Sequence, residues 1–110
     1  MSVRQLLNLE GRTALITGAS GGLGLQMARA LGEMGARIAI LDRDAQAMQD
    51  ACAQLQGEGI AASGVQCDLR QTDTIADAIG QVAGQGAIDI LINNAGAAWT
   101  QTTAETAVKA

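Results

Sequence analysis

Thr17-Gly18-Ala19-Ser20-Gly21-Gly22-Leu23-Gly24 is the stretch on which the fold turns. It follows Thr13-Ala14-Leu15-Ile16-Thr17, an apolar run too short for a helix and ended at once by Gly18. Such a run predicts a buried strand. Beyond the turn, Leu23, Met27, Ala30, Leu31 and Met34 recur at helical spacing and predict one apolar helix face. Gly35 is the expected stop. Glycines at a strand-to-helix junction let the chain turn sharply and let backbone approach a ligand with no Cβ in the way. The N–H groups of the first helical turn, at the positive end of the helix dipole, suit a pyrophosphate. The same turn can equally be a tight connection that holds no ligand. It is not a Walker A loop, because no Lys follows the glycines.

Working outward, Ala36 to Leu41 reads as a second strand ending at Asp42, and Ala45, Met48, Cys52 and Leu55 mark a second helical face. Ile60 to Cys67 is a weaker strand with Asp68 directly after it. Thr72 is a candidate cap for a third helix, with Asp73 in its first turn. That helix carries Ile75, Ala78, Ile79, Val82 and Ala83. Ile88 to Ile92 is the last strand and runs into Asn93-Asn94-Ala95-Gly96. Strands alternating with helices across short connections predict an α/β fold, a parallel sheet covered by helices. Residues 1–11 read as a lead-in, and the end of the chain as a polar, Thr- and Ala-rich tail.

Asp42 sharpens the reading of the turn. In a parallel sheet it stands at the same carboxyl edge as the glycines, about 20 residues beyond them, where an acidic residue meets an adenosine ribose. A carboxylate there accepts hydrogen bonds from both ribose hydroxyls and repels a 2′-phosphate. Two unit charges about 4 Å apart cost roughly 4 kcal/mol at an effective dielectric near 20, less where solvent screens them. The alternative is a solvated strand-end carboxylate.

Composition excludes several function classes. The chain has 110 residues and a formal net charge of −4, and hydrophobic residues are 48% against 16% charged, which argues for one small folded domain rather than disorder. It has no His, Tyr or Phe, so neither an imidazole nor a phenol can serve as its acid or base. Its scattered Arg residues give no nucleic-acid footprint. No apolar run approaches the ~20 residues that span a membrane, and Met1 to Glu10 lacks the apolar core of a signal peptide. Cys52 and Cys67 alone cannot make a metal-ligand set. A cytoplasmic protein with two free thiols is the expectation.

With Thr17-Gly18-x-x-x-Gly22-x-Gly24, Asp42, Asp68 and Asn93-Asn94-Ala95-Gly96 in order, the chain resembles the short-chain dehydrogenase/reductase family from about Leu9 to Ala98. The resemblance implies a Rossmann-type sheet of about four strands in the order 3-2-1-4, with helices on both faces. It implies a dinucleotide-binding unit over residues 1–98, a tail over 99–110, and only the cofactor-binding half of such a protein. Backbone at Gly18, Ser20, Gly21, Gly22 and Leu23 would lie along the cofactor's adenosine ribose and phosphates, and Asp42 would hold that ribose. Asp68 and the backbone of Leu69 would meet the adenine edge. Asn94, Ala95 and Gly96 would support the central strand and touch the cofactor. Asp68 could instead cap a turn, and the Asn pair could satisfy backbone groups at the strand end.

The implied cofactor is NAD rather than NADP. NADP-preferring relatives carry a basic residue before the second motif glycine or after the second strand, whereas this chain has Gly21 at the first place and Asp42 at the strand end. Arg43 departs from that pattern; it could meet a phosphate, stay solvated or pair with Asp44. The larger departure is catalytic. The family's Ser and Tyr-x-x-x-Lys have no counterpart, since Ser2, Ser20 and Ser63 all precede the place where the catalytic Ser belongs and Glu105 stands four residues before Lys109. A Glu-Lys pair at that spacing is common on solvated helical turns. No residue is therefore assigned to catalysis. The reading is a truncated oxidoreductase half; the alternatives are a self-sufficient dinucleotide-binding module and a structural or interaction protein. If Ile88 to Ile92 is left as an exposed apolar edge, self-association through it is expected.

Overall fold

The computed structural model describes residues 3–94, so Ala95, Gly96 and the tail, with Glu105 and Lys109, lie outside the described residues. The element order is α1 (Val3–Leu6), β1 (Thr13–Thr17), α2 (Gly22–Glu33), β2 (Arg37–Asp42), α3 (Ala45–Gly57), β3 (Ala62–Gln66), α4 (Thr72–Ala83) and β4 (Ile90–Asn93). The strands form one parallel sheet in the order β3-β2-β1-β4, as expected.

β1 is central and buried along its whole length, which is why its sequence is a continuous apolar run rather than an alternating one. The period of two still decides which layer each side chain joins. Ala14 and Ile16 join a core with Ile38, Ile40, Ala28 of α2, and Met48, Ala51, Cys52 and Leu55 of α3. Leu15 joins Ala39, Leu41 and, from α4, Ala78 and Val82 on the opposite face. Helices therefore cover both faces. Full burial of a side chain such as Leu15 or Ile40 contributes about 1.5–3 kcal/mol.

Several expectations are corrected. α2 does not turn Leu23, Met27, Ala30 and Met34 inward: its buried residues are Gly24 and Ala28, with Leu25 and Leu31 packed alongside, while Leu23 is 69% exposed. The helix lies so close to β1 that only small side chains fit at the contact. A Cβ on Gly24 would stand 2.6 Å from both the Gly18 carbonyl oxygen and Asn94 Nδ2, well inside van der Waals contact. On α4, Ile79 and Ala83 are exposed, and the cap is Gln71 rather than Thr72, which is the first helical residue. Thr74 donates its hydroxyl back to the Gln71 carbonyl at 2.8 Å. The lead-in contains the one-turn α1.

The fourth strand begins at Ile90, not Ile88, because Asp89 does a different job. Its Oδ2 accepts from the Thr13 N–H at 2.9 Å and its Oδ1 accepts from Arg12 at 3.3 Å, so its side chain locks the start of β1. Among the described residues β4 pairs with β1 alone. Leu91, in register with buried Leu15, is 66% exposed because α4 does not extend over it.

Candidate functional site

The chain winds from β1 to β2 to β3 in one direction and then crosses to β4 on the other side of β1. The strand order therefore reverses between β1 and β4, and in open α/β sheets the carboxyl edge at such a reversal is where a crevice for ligands lies. The glycine turn and Asn94 flank that crevice.

Gly18 and Gly22 adopt φ values of +68° and +59°, the left-handed region that side chains with a Cβ rarely enter. The two conformations swing the chain from β1 into α2. Gly21, extended at φ −173°, is the N-cap and supplies no side-chain cap, so the positive end of this 12-residue helix is left uncapped by its own sequence. A Cβ added to Gly21 or Gly22 would meet nothing within 4 Å, so the backbone there faces open space. That space could take a phosphate held by main-chain N–H groups.

Two bonds hold the turn against the end of β2, extending the β1·β2 ladder beyond its last pair, Thr17↔Leu41. The Gly18 N–H donates to the Leu41 carbonyl at 3.1 Å. The Ser20 hydroxyl donates to Asp42 Oδ2 at 2.5 Å. Asp42 Oδ1 accepts from the Asp44 N–H at 3.0 Å. Ser20 and Asp42, 22 positions apart in sequence, are thus brought together at one edge, and Asp42 is a half-exposed carboxylate with a hydrogen-bond partner on each oxygen. Asp44 does not pair with Arg43, because its own carboxylate caps α3 by accepting from the Ala47 N–H at 3.0 Å. Among the described residues Arg43 makes no ion pair.

Asn93 and Asn94 tie β4 to β1. Thr17 donates its hydroxyl to Asn93 Oδ1 at 3.0 Å and accepts from the Asn94 N–H at 2.9 Å, while Asn94 Nδ2 donates to the Gly18 carbonyl at 3.3 Å. Of the pair, the Asn94 side chain satisfies a backbone group, whereas Asn93 meets the Thr17 hydroxyl, and together they join the ends of β1 and β4.

Asp68 lies one strand further out, after β3. Its Oδ1 accepts from the Arg70 N–H at 3.0 Å, and the Arg70 guanidinium grips both oxygens, with Nη2 2.7 Å from Oδ2. The Arg70 side chain, followed by its backbone N–H, pulls the Asp68 carboxyl down to about 2. Asp68 therefore does cap a turn, and Arg70 was not foreseen as its partner. Leu69 packs its side chain against the α4-side core, so only its backbone is free to face a ligand. An open hollow of about 430 Å³ is lined by Arg43, Gln66, Cys67, Asp68, Gln71 and Thr74. A larger one, about 490 Å³, sits at the opposite edge among Arg12, Arg37, Gly86 and Asp89. Helices end there instead of beginning, so it lacks the dipole that draws a phosphate. Cys52 and Cys67 are buried and free, and burial pushes the Cys52 thiol up. Among the described residues no helix is long and apolar enough to cross a membrane, and no group of three His, Cys, Asp or Glu could hold a metal ion.

Residues 12–110 match the short chain dehydrogenase family. The chain is 39% identical over 97 residues to a gluconate 5-dehydrogenase of Gluconobacter oxydans, covering 87% of this chain and 38% of that protein. A short-chain type dehydrogenase/reductase from Mycobacterium marinum superposes with a TM-score of 0.85 at 39% identity, over 96% of this chain and 43% of that one. A gluconate 5-dehydrogenase from Burkholderia cenocepacia, in complex with NADP and tartrate, superposes with a TM-score of 0.83 at 38% identity, over 91% and 40%. The chain thus spans about two fifths of the length of the curated relatives it matches.

Proposed function

The chain belongs to the short-chain dehydrogenase family, whose members use a nicotinamide cofactor, and we propose that it forms the dinucleotide-binding half of an oxidoreductase. The observation that carries this reading is the Ser20–Asp42 hydrogen bond at 2.5 Å, which joins the phosphate-ready turn to the ribose-ready carboxylate.

In this reading the α2 N-terminus and the backbone from Gly18 to Leu23 hold the pyrophosphate. Asp42 accepts from the adenosine ribose hydroxyls, and Asp68 with the Leu69 backbone borders the adenine. Asn94, with Ala95 and Gly96 beyond it, supports the crevice on the nicotinamide side. The bound dinucleotide supplies hydride transfer to or from an alcohol or carbonyl carbon. This chain's own residues bind and orient it. Moving the accompanying proton needs a donor within hydrogen-bond reach of the substrate oxygen, and the sequence offers no Tyr or His for that task. The self-sufficient binding module is the second reading, and it shares the same site.

NAD is the preferred cofactor in this account, because Asp42 opposes a 2′-phosphate across the turn. NADP is the alternative, favoured by the NADP held in the Burkholderia cenocepacia relative and by Arg43, which is free of ion pairs among the described residues. Calorimetric titration of the 110-residue chain with each dinucleotide tests both points. Saturable binding, tighter for NAD by roughly tenfold or about 1.4 kcal/mol, is expected. No binding to the folded chain rejects the reading, and tighter NADP binding rejects the preference.

A further inference from the structure

The Asp42 carboxylate is fixed at both oxygens before any ligand arrives. Oδ2 takes the Ser20 hydroxyl at 2.5 Å and Oδ1 takes the Asp44 N–H at 3.0 Å. The two donors come from different segments. Asp44 belongs to the same strand-to-helix corner as Asp42, whereas Ser20 reaches over from the glycine turn. The Asp44 bond alone fixes where one oxygen sits and leaves the side chain free to pivot about it. The Ser20 bond removes that freedom and directs the carboxylate at the turn. A carboxylate able to swing into solvent would escape a nearby phosphate; one held by a hydroxyl and a backbone N–H must face it. Arg43 is the next residue along and lines the adjoining hollow, where its charge acts on Asp68 without a close ion pair among the described residues, so a cation already stands beside Asp42.

We propose that Ser20 is a positioning residue whose hydroxyl clamps Asp42 and thereby sets the selectivity between dinucleotides with a free adenosine 2′-hydroxyl and those with a 2′-phosphate. The inference rests on the reading that Asp42 meets the adenosine ribose. It assigns to the turn a part in cofactor choice that the strand-end acid does not perform alone.

The test measures dissociation constants for NAD and NADP in the 110-residue chain and in Ser20→Ala, Ser20→Thr, Asp42→Ala and the double variant Ser20→Ala/Asp42→Ala, with folding followed by circular dichroism. Ser20→Gly provides a second hydroxyl deletion should the alanine variant fail to fold. The NADP-to-NAD ratio of dissociation constants should fall roughly three- to tenfold in Ser20→Ala, as expected where only part of the worth of one hydrogen bond to a charged group goes into selectivity. It should return in Ser20→Thr. In the Asp42→Ala background, Ser20→Ala should leave the ratio where it is. A ratio unmoved by hydroxyl deletion, while Asp42→Ala collapses it, overturns the inference and leaves the site intact. Equal weakening of both cofactors in Ser20→Ala also overturns it, since Ser20 would then be a ligand contact without a positioning role. A ratio insensitive to Asp42→Ala, or no binding of either dinucleotide, removes the underlying reading as well.

Discussion

Asn94 Nδ2 donates to the Gly18 carbonyl at 3.3 Å, so the residue just after β4 is bonded to the residue just after β1. The helix entering from Gly22 packs directly onto that bond, because both atoms lie 2.6 Å from where a Cβ on Gly24 would stand. Turn, helix and fourth strand therefore meet at one point.

Gly24→Ala should be destabilising for that reason. The Gly18 oxygen is backbone and cannot move aside cheaply, so overpacking should cost about 1–3 kcal/mol. Urea denaturation measures it. The same substitution at Gly57, where a Cβ would meet nothing within 4 Å, should be nearly neutral or mildly stabilising.

Thr17→Val retains the shape of a buried side chain and removes its hydroxyl, which both donates to Asn93 and accepts from Asn94. Orphaning those partners should cost about 1–3 kcal/mol. Hydrogen exchange should quicken at the Asn94 amide. Unchanged exchange there would mean that the hydroxyl does not hold the end of β4.

Acid should weaken the fold over a defined window. The Arg70 side chain holds Asp68 down to about 2; the Thr13 N–H lowers Asp89; the Arg29 guanidinium, in a two-pronged pair with Glu58 at 2.7 and 3.1 Å, lowers Glu58. A depressed carboxyl binds its proton more weakly in the folded chain. Its contribution is therefore full above the unfolded value, near pH 4, and is lost as pH falls toward about 2. Asp68→Asn should flatten the stability-versus-pH curve in that range, by an amount that shrinks in salt because Arg70 is exposed. A curve as steep as the parent's would argue against the pair.

Leu91→Lys places a charge on β4, which among the described residues pairs with β1 alone, at a side chain that is 66% exposed. If two copies pair through this edge, the substitution should shift sedimentation toward monomer. A parent chain that is already monomeric at high concentration removes the edge as a self-association surface.

Much of the fold was legible because parallel strands buried on both faces are written as short apolar runs, and β1 is such a run in full. Sheet order came with the family resemblance rather than from periodicity. The rotation of α2 was misread for a physical reason. Apolar periodicity favours the largest side chains, and Leu23 and Met34 supplied them, whereas the close approach of helix to strand selected Gly24 and Ala28. The start of β4 was misplaced because Asp89 uses its side chain to bond the beginning of β1, which no spacing rule anticipates. At the site, the placement of the glycine turn and Asp42 at one edge could be read from strand ends. The Ser20–Asp42 bond could not, since it joins two segments whose relative height depends on the three-dimensional register. The capture of Asp68 by Arg70 has a local signal, an acid and a base two positions apart.

The central claim, one dinucleotide groove at the carboxyl edge of the sheet, is tested most directly by amide chemical-shift mapping of the 110-residue chain as NAD is added. The account predicts saturable shifts at Gly18, Ser20, Gly21, Gly22, Leu23, Asp42 and Leu69. Shifts confined to Gly11, Gly35, Gly59 and Gly86 at the opposite edge, or no shifts in a folded chain, would contradict it.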